Sequence, residues 1–137
     1  MQQKIEITKT NQELVGLLQG LFNVGGLKGV KFALIVAKNV KVLKSELEDI
    51  EVAAQPTPDF IELSQKVAEF EQKKDLDGIK KLEEKNKKLV DARKKQLAEL
   101  DKLMKETAKV TLSTFSEDIL PAEINGKQLE GIETLIK

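Results

Sequence analysis

Cysteine, histidine, tryptophan and tyrosine are all absent from the sequence, and arginine occurs once, as Arg93. Each absence closes a class of chemistry. Without cysteine there is no disulfide framework, no thiolate zinc site and no thiol nucleophile. Without histidine the usual general base near neutral pH and the commonest metal ligand are missing. A single arginine leaves one position for planar, bidentate grip on a phosphate, and every other cation is a lysine. These gaps predict a non-enzymatic protein with no cofactor and no metal. No apolar run approaches the roughly 18 residues of a membrane span, so no membrane partner is expected. The opening MQQKIEITKT is polar and strand-like and lacks the pattern of a signal peptide. The 23 basic and 23 acidic residues cancel, so net charge points to no nucleic-acid partner.

What is present is helical periodicity between two short alternating segments. Ile5 and Ile7 alternate with polar residues over 3–8, which predicts a half-buried strand. Thr10 and Glu13 form a capping box that starts a helix over 11–22, with Leu14, Leu17, Leu18 and Leu21 on one face. Gly16 and Gly20 either weaken that helix or admit another helix closely. A second helix is expected over 30–54, with a coiled-coil-like seam of Ala33, Val36, Val40, Leu43, Leu47, Ile50 and Ala54. Its first two turns, VKFALIVA, read as buried nearly all round. Pro56 and Pro58 end it. A third helix is expected over 59–73, with Phe60, Leu63, Val67 and Phe70 in line. DLDG at 75–78 then offers a turn, and one long helix follows over 79–107 with Asn86 and Arg93 on its seam. Residues 108–115 alternate again, and an Asn-Gly turn leads to a short helix with Leu129, Ile132, Leu135 and Ile136 inward. The expectation is a mainly α single domain over 1–137. It is a helical hairpin or bundle with long antiparallel helices, plus a two-stranded β element pairing the N-terminal strand with 108–115.

Two groups of cations stand out. Between Leu27 and Ser45 there are five lysines, Lys28, Lys31, Lys38, Lys41 and Lys44, and no acid. Gly25, Gly26 and Gly29 precede or begin this comb, so backbone amides at a helix start could meet an anion there. The plainer alternative is the solvated back of an amphipathic helix, with lysine stems covering apolar surface. No P-loop pattern is present. The second group, KNKKLVDARKK at 85–95, has no aromatic neighbour for a base to stack on. Arg93 either fixes register as a polar seam residue or faces an anion, and a one-residue change of helix phase would turn it outward. Asp75 and Asp77 lack the remaining ligands of a calcium loop.

The order of the elements carries a resemblance. Ala37, Lys38 and Asn39 in the first long helix, a Lys/Glu-rich coiled-coil middle, and a closing segment with Leu120, Pro121, Ile124, Gln128, Leu129, Ile132, Leu135 and Ile136 together resemble a family of small tailed-phage proteins of unassigned function. The resemblance implies a phage origin and a non-enzymatic role, and supplies no catalytic residues. Two functions are then expected. In the first, the protein acts in the cytoplasm of the infected bacterium as an anti-defence homo-oligomer. It sequesters an anionic, nucleotide-like immune signal, with Lys28, Lys31, Lys38, Lys41 and Arg93 as the charged lining. In the second it is a coiled-coil virion or scaffold component. A host protein is a third candidate partner.

Overall fold

The computed structural model describes residues 3–137. The chain forms two compact units, one of Met1–Asp49 with Leu103–Lys137 and one of Ile50–Lys102. It is mainly α with a small antiparallel sheet, as the sequence predicts.

In the first unit, β1 (Lys4–Thr10) pairs antiparallel with β2 (Thr107–Ser113), placing Ile5 opposite Leu112 and Ile7 opposite Val110. The alternation read in each segment therefore faces one side, and Ile7, Val110 and Leu112 are buried there. At Thr10 the chain turns directly into α1 (Asn11–Val24). The capping box forms as expected: Glu13 N–H donates to Thr10 Oγ1 (3.1 Å) and Thr10 N–H donates to Glu13 Oε1 (3.0 Å). The Glu13 carboxyl is held below its ordinary range mainly by the Thr10 backbone N–H and next by the Thr10 hydroxyl, which also donates to Glu13 Oε1 (3.0 Å). The helix runs past the expected end at 22 because Val24 is fully buried. Tertiary packing extends it over the last turn.

The closing helix α6 (Gly126–Ile132) starts from a second capping box, made by Asn125 and Gln128. It packs where α1 has no side chain. A Cβ on Gly20 would lie 2.9 Å from the carbonyl carbon of Gly131, whereas one on Gly16 would meet nothing within 4 Å. Of the two alternatives for these glycines, close approach applies to Gly20.

The helix α2 (Val30–Ala54) has the expected bounds and a different phase. Its buried residues are Phe32, Ile35, Val36, Asn39, Leu43 and Leu47, whereas Ala33 is exposed and Val40 half-buried. Nor are the first two turns enclosed: Val30 is 80% exposed and Leu34 52%. The cause is Phe32, whose ring stacks on that of buried Phe115 at 5.0 Å and a 35° tilt. One aromatic pair outweighs the alanine-based seam.

In the second unit, Thr57 caps α3 (Pro58–Gln72) by accepting from Phe60 N–H (3.2 Å). The helix closes in a Schellman arrangement: Asp75 N–H donates to Phe70 O (2.9 Å), Lys74 N–H donates to Glu71 O (3.0 Å), and Lys74 adopts φ 55°. Asp75 Oδ1 then accepts from Gly78 N–H (2.9 Å) and starts α4 (Leu76–Lys85). Asp75 of DLDG thus serves the turn through its N–H and the cap through its carboxylate.

The long helix expected over 79–107 is two helices. Asn86, with φ −111° and ψ 30°, separates α4 from α5 (Lys87–Lys105), and its Nδ2 donates to Leu82 O (2.9 Å). A short polar side chain bonded to the i−4 carbonyl competes with the helical ladder. α3 runs antiparallel to α4–α5. Phe60 lies with Leu89, Ala92 and Arg93 around one small cavity, and Phe70 approaches Gly78 at the turn.

Candidate functional site

A cleft of about 580 Å³, open to solvent, lies in the first unit. One wall is the first half of α2, where Lys31, Leu34 and Ile35 share a face at i, i+3 and i+4. The other is the chain following β2, which supplies Thr114, Ser116, Asp118 and Ile119, and Lys137 and Gln3 also line the cleft.

That second wall is held from behind by three devices. Asn39 Nδ2 donates to Ser113 O (2.9 Å), and Ser113 N–H donates to Asn39 Oδ1 (2.8 Å), both buried. Phe115 N–H donates to Leu135 O (2.8 Å) while Lys137 N–H donates to Phe115 O (2.9 Å), so the end of the chain lies as a parallel bridge along Phe115. Thr114 N–H and its hydroxyl both donate to Gln3 O, at 2.9 and 3.1 Å. The Ser116 hydroxyl, the Asp118 carboxylate and the Lys31 and Lys137 ammonium groups are on exposed residues. The arrangement offers two cations, one anion, a hydroxyl and an aliphatic patch of Leu34 and Ile119. Its volume falls within the usual range for small-molecule sites.

Of the four candidate lysines in the first unit, Lys31 lines this cleft and Lys28, Lys38 and Lys41 do not. Lys31 stands on the cleft wall. Lys38 lies seven residues on, on the same side of α2 but about 10 Å along its axis, and Lys41 is a further turn away. All three are exposed. The comb is a row along a helix, and Lys44 belongs to it only loosely, with its ammonium 5.3 Å from the ring centre of Phe22.

Lys28 precedes α2, and its backbone N–H donates to Glu123 Oε1 (3.0 Å). The amide offered to an anion at this helix start is therefore taken by a carboxylate of the chain. The Glu123 carboxyl is held below its ordinary range mainly by that N–H, then by its own backbone N–H, against a smaller desolvation effect.

Arg93 belongs to the second unit. Its guanidinium donates to Ala54 O (2.9 Å) and Gln96 Oε1 (2.7 Å) and lies 5.7 Å from the Phe60 ring centre. Gln96 Nε2 donates to Ala53 O (2.7 Å) and Gln55 O (2.8 Å). Together these two side chains cap the carbonyl end of α2, where a cation also suits the helix dipole.

Periodicity alone did not mark Asn39 or the hydroxyl-bearing wall. Asn39 was visible only as part of the Ala-Lys-Asn element, although it follows Ile35 and precedes Leu43 by one helical turn each. Among the described residues no helix is long and apolar enough to cross a membrane. Comparison of the chain with protein-family models, with curated proteins and with solved structures gave no match in any of the three.

Proposed function

We propose that the protein is a non-enzymatic binding protein that holds a small anion with an apolar portion, of nucleotide size, in the cleft between α2 and the segment after β2. The observation that carries this reading is that Lys31, Leu34 and Ile35 of α2 line one cleft together with Ser116 and Lys137. An ammonium group and a hydroxyl bind a phosphate or carboxylate by charge-assisted hydrogen bonds, and Leu34 with Ile119 gives the rest of the ligand apolar contact. Asp118 adds selectivity by repelling a second anionic group at its end of the cleft. In the phage setting that the resemblance implies, the protein acts by occupancy, lowering the free concentration of a nucleotide-like signal in the infected cell.

Thermal-shift measurements across cyclic and linear nucleotides test the reading. A stabilised transition with at least one of them is expected, and no shift across the whole panel would sink it. A second reading, a virion or scaffold component, draws on the charged hairpin of α3 to α5. Mass spectrometry of purified particles and assembly intermediates separates the two, since the second requires the protein in one of them.

A further inference from the structure

The cleft of the first unit holds side chains of both signs that lack partners of their own. Among the described residues, Lys31, Asp118 and Lys137 make no ion pair there, and the Ser116 hydroxyl makes no hydrogen bond. A ligand that answered only the lysines would set an anion beside the Asp118 carboxylate, which costs affinity. The group that meets Asp118 is therefore a donor. A cationic donor is opposed by Lys31 and Lys137, which line the same cleft. A neutral donor edge satisfies the carboxylate without opposing the lysines.

Which neutral edge fits follows from what the cleft lacks. Among the described residues no aromatic side chain lines it, so stacking does not choose between bases. Leu34 and Ile119 offer aliphatic contact to any of them. Selection then falls to hydrogen bonds at the edge of the base. An ionised carboxylate accepts through two oxygens and donates nothing. Guanine presents two adjacent donors to it, N1–H and the 2-amino group. Adenine and cytosine set one amino donor beside a ring-nitrogen lone pair, and uracil flanks one N–H with two carbonyls. Each of these turns an acceptor toward the carboxylate.

The carboxylate is also carried on a fixed piece of backbone. Asp118 is the middle residue of a single 3₁₀ turn, Glu117–Ile119. Ile119 N–H donates to Ser116 O (3.2 Å) and Leu120 N–H donates to Glu117 O (3.3 Å). Buried Phe115 stands before the turn, and half-buried Ile119 and Leu120 close it. Such preorganisation lowers the ordering cost of binding. Glu117, on the same turn and also exposed, does not line the cleft.

We propose that the anion held in this cleft is a guanine nucleotide. The Asp118 carboxylate accepts from guanine N1–H and the 2-amino group, and Lys31 with the Ser116 hydroxyl takes the phosphate. This rests on the reading of the cleft as a nucleotide-sized anion site, and it adds the base. A site built to pair such donors rejects a base without them more strongly than an apolar pocket does.

Isothermal titration with the 5′-monophosphates of guanosine, inosine and adenosine tests it. Guanosine monophosphate is expected to bind at least about tenfold more tightly than adenosine monophosphate. Inosine monophosphate, which keeps N1–H and lacks the 2-amino group, is expected between them. Asp118→Ala is expected to bring the three within about twofold. Glu117→Ala removes the same charge from the same turn and is expected to keep the preference. Both positions are exposed, and matching far-ultraviolet circular dichroism checks the fold. Three nucleotides bound within about twofold by the wild type overturn the guanine assignment and leave the anion site standing. A preference that survives Asp118→Ala, or is lost equally in Glu117→Ala, overturns it as well. So does no binding by any of the three, and the wider nucleotide panel then decides the anion site by itself.

Discussion

Asn39 and Lys74 show how single side chains fix this fold. Asn39 is 1% exposed and makes two hydrogen bonds to the backbone of Ser113. Truncation would leave a buried N–H and a buried carbonyl without partners, and each such loss costs about 1–3 kcal/mol. Asn39→Ala is therefore expected to lower unfolding free energy by about 2–4 kcal/mol; a urea titration showing less than about 1 kcal/mol would contradict the clamp. Lys74 carries the opposite sign. It holds the left-handed position of a Schellman turn at φ 55°, a conformation that costs a side-chain-bearing residue and not glycine. Lys74→Gly is expected to raise stability by up to about 1 kcal/mol, read as a higher denaturant midpoint at unchanged slope. A lower midpoint would mean that the lysine contributes something its geometry does not show.

At the scale of elements, bounds were more legible than phases. The capping box at Thr10, the Pro56–Pro58 break and the Asn125–Gly126 start are local chemistry, and the helices begin or end there as expected. The phase of α2 was not legible, because Ala33, Val36 and Val40 satisfy a coiled-coil repeat as well as Phe32, Val36 and Asn39 satisfy a straight helix. Only the distant ring of Phe115 decides between them. The same limit hid half of the cleft. Lys31 was a named candidate, but Ser116, Asp118 and Lys137 reach it through the Asn39 clamp and the Phe115 bridge, contacts between segments far apart in sequence. Arg93 reads from sequence either as a polar seam position or as an anion ligand, and its observed partner, the carbonyl of Ala54 at the end of α2, is not legible from spacing. The two glycines of α1 give a paired test. Gly20→Ala drives a methyl into the backbone of Gly131 and is expected to cost about 1–3 kcal/mol. Gly16→Ala meets open space and is expected to gain up to about 1 kcal/mol. Thermal melts that move both variants in the same direction would refute the close approach of α1 and α6.

For the molecule as a whole, the structure divides the chemistry between two units. The first buries a core of Leu14, Leu21, Phe32, Leu112, Phe115 and Ile132 and carries the cleft. The second is a charged helical hairpin whose one well-buried apolar side chain is Leu63. Binding of a small anion is the proposal made for the first. The central claim is that Lys31 acts through the cleft and not as one cation in a row. Isothermal titration of the nucleotide giving the largest thermal shift decides it, on the wild type, Lys31→Glu and Lys41→Glu. Both lysines are exposed on the same helix, and both changes alter net charge equally. The account predicts at least about tenfold weaker binding for Lys31→Glu, with Lys41→Glu within about twofold of wild type. Equal losses in the two variants, or no heat of binding to the wild type, would contradict it.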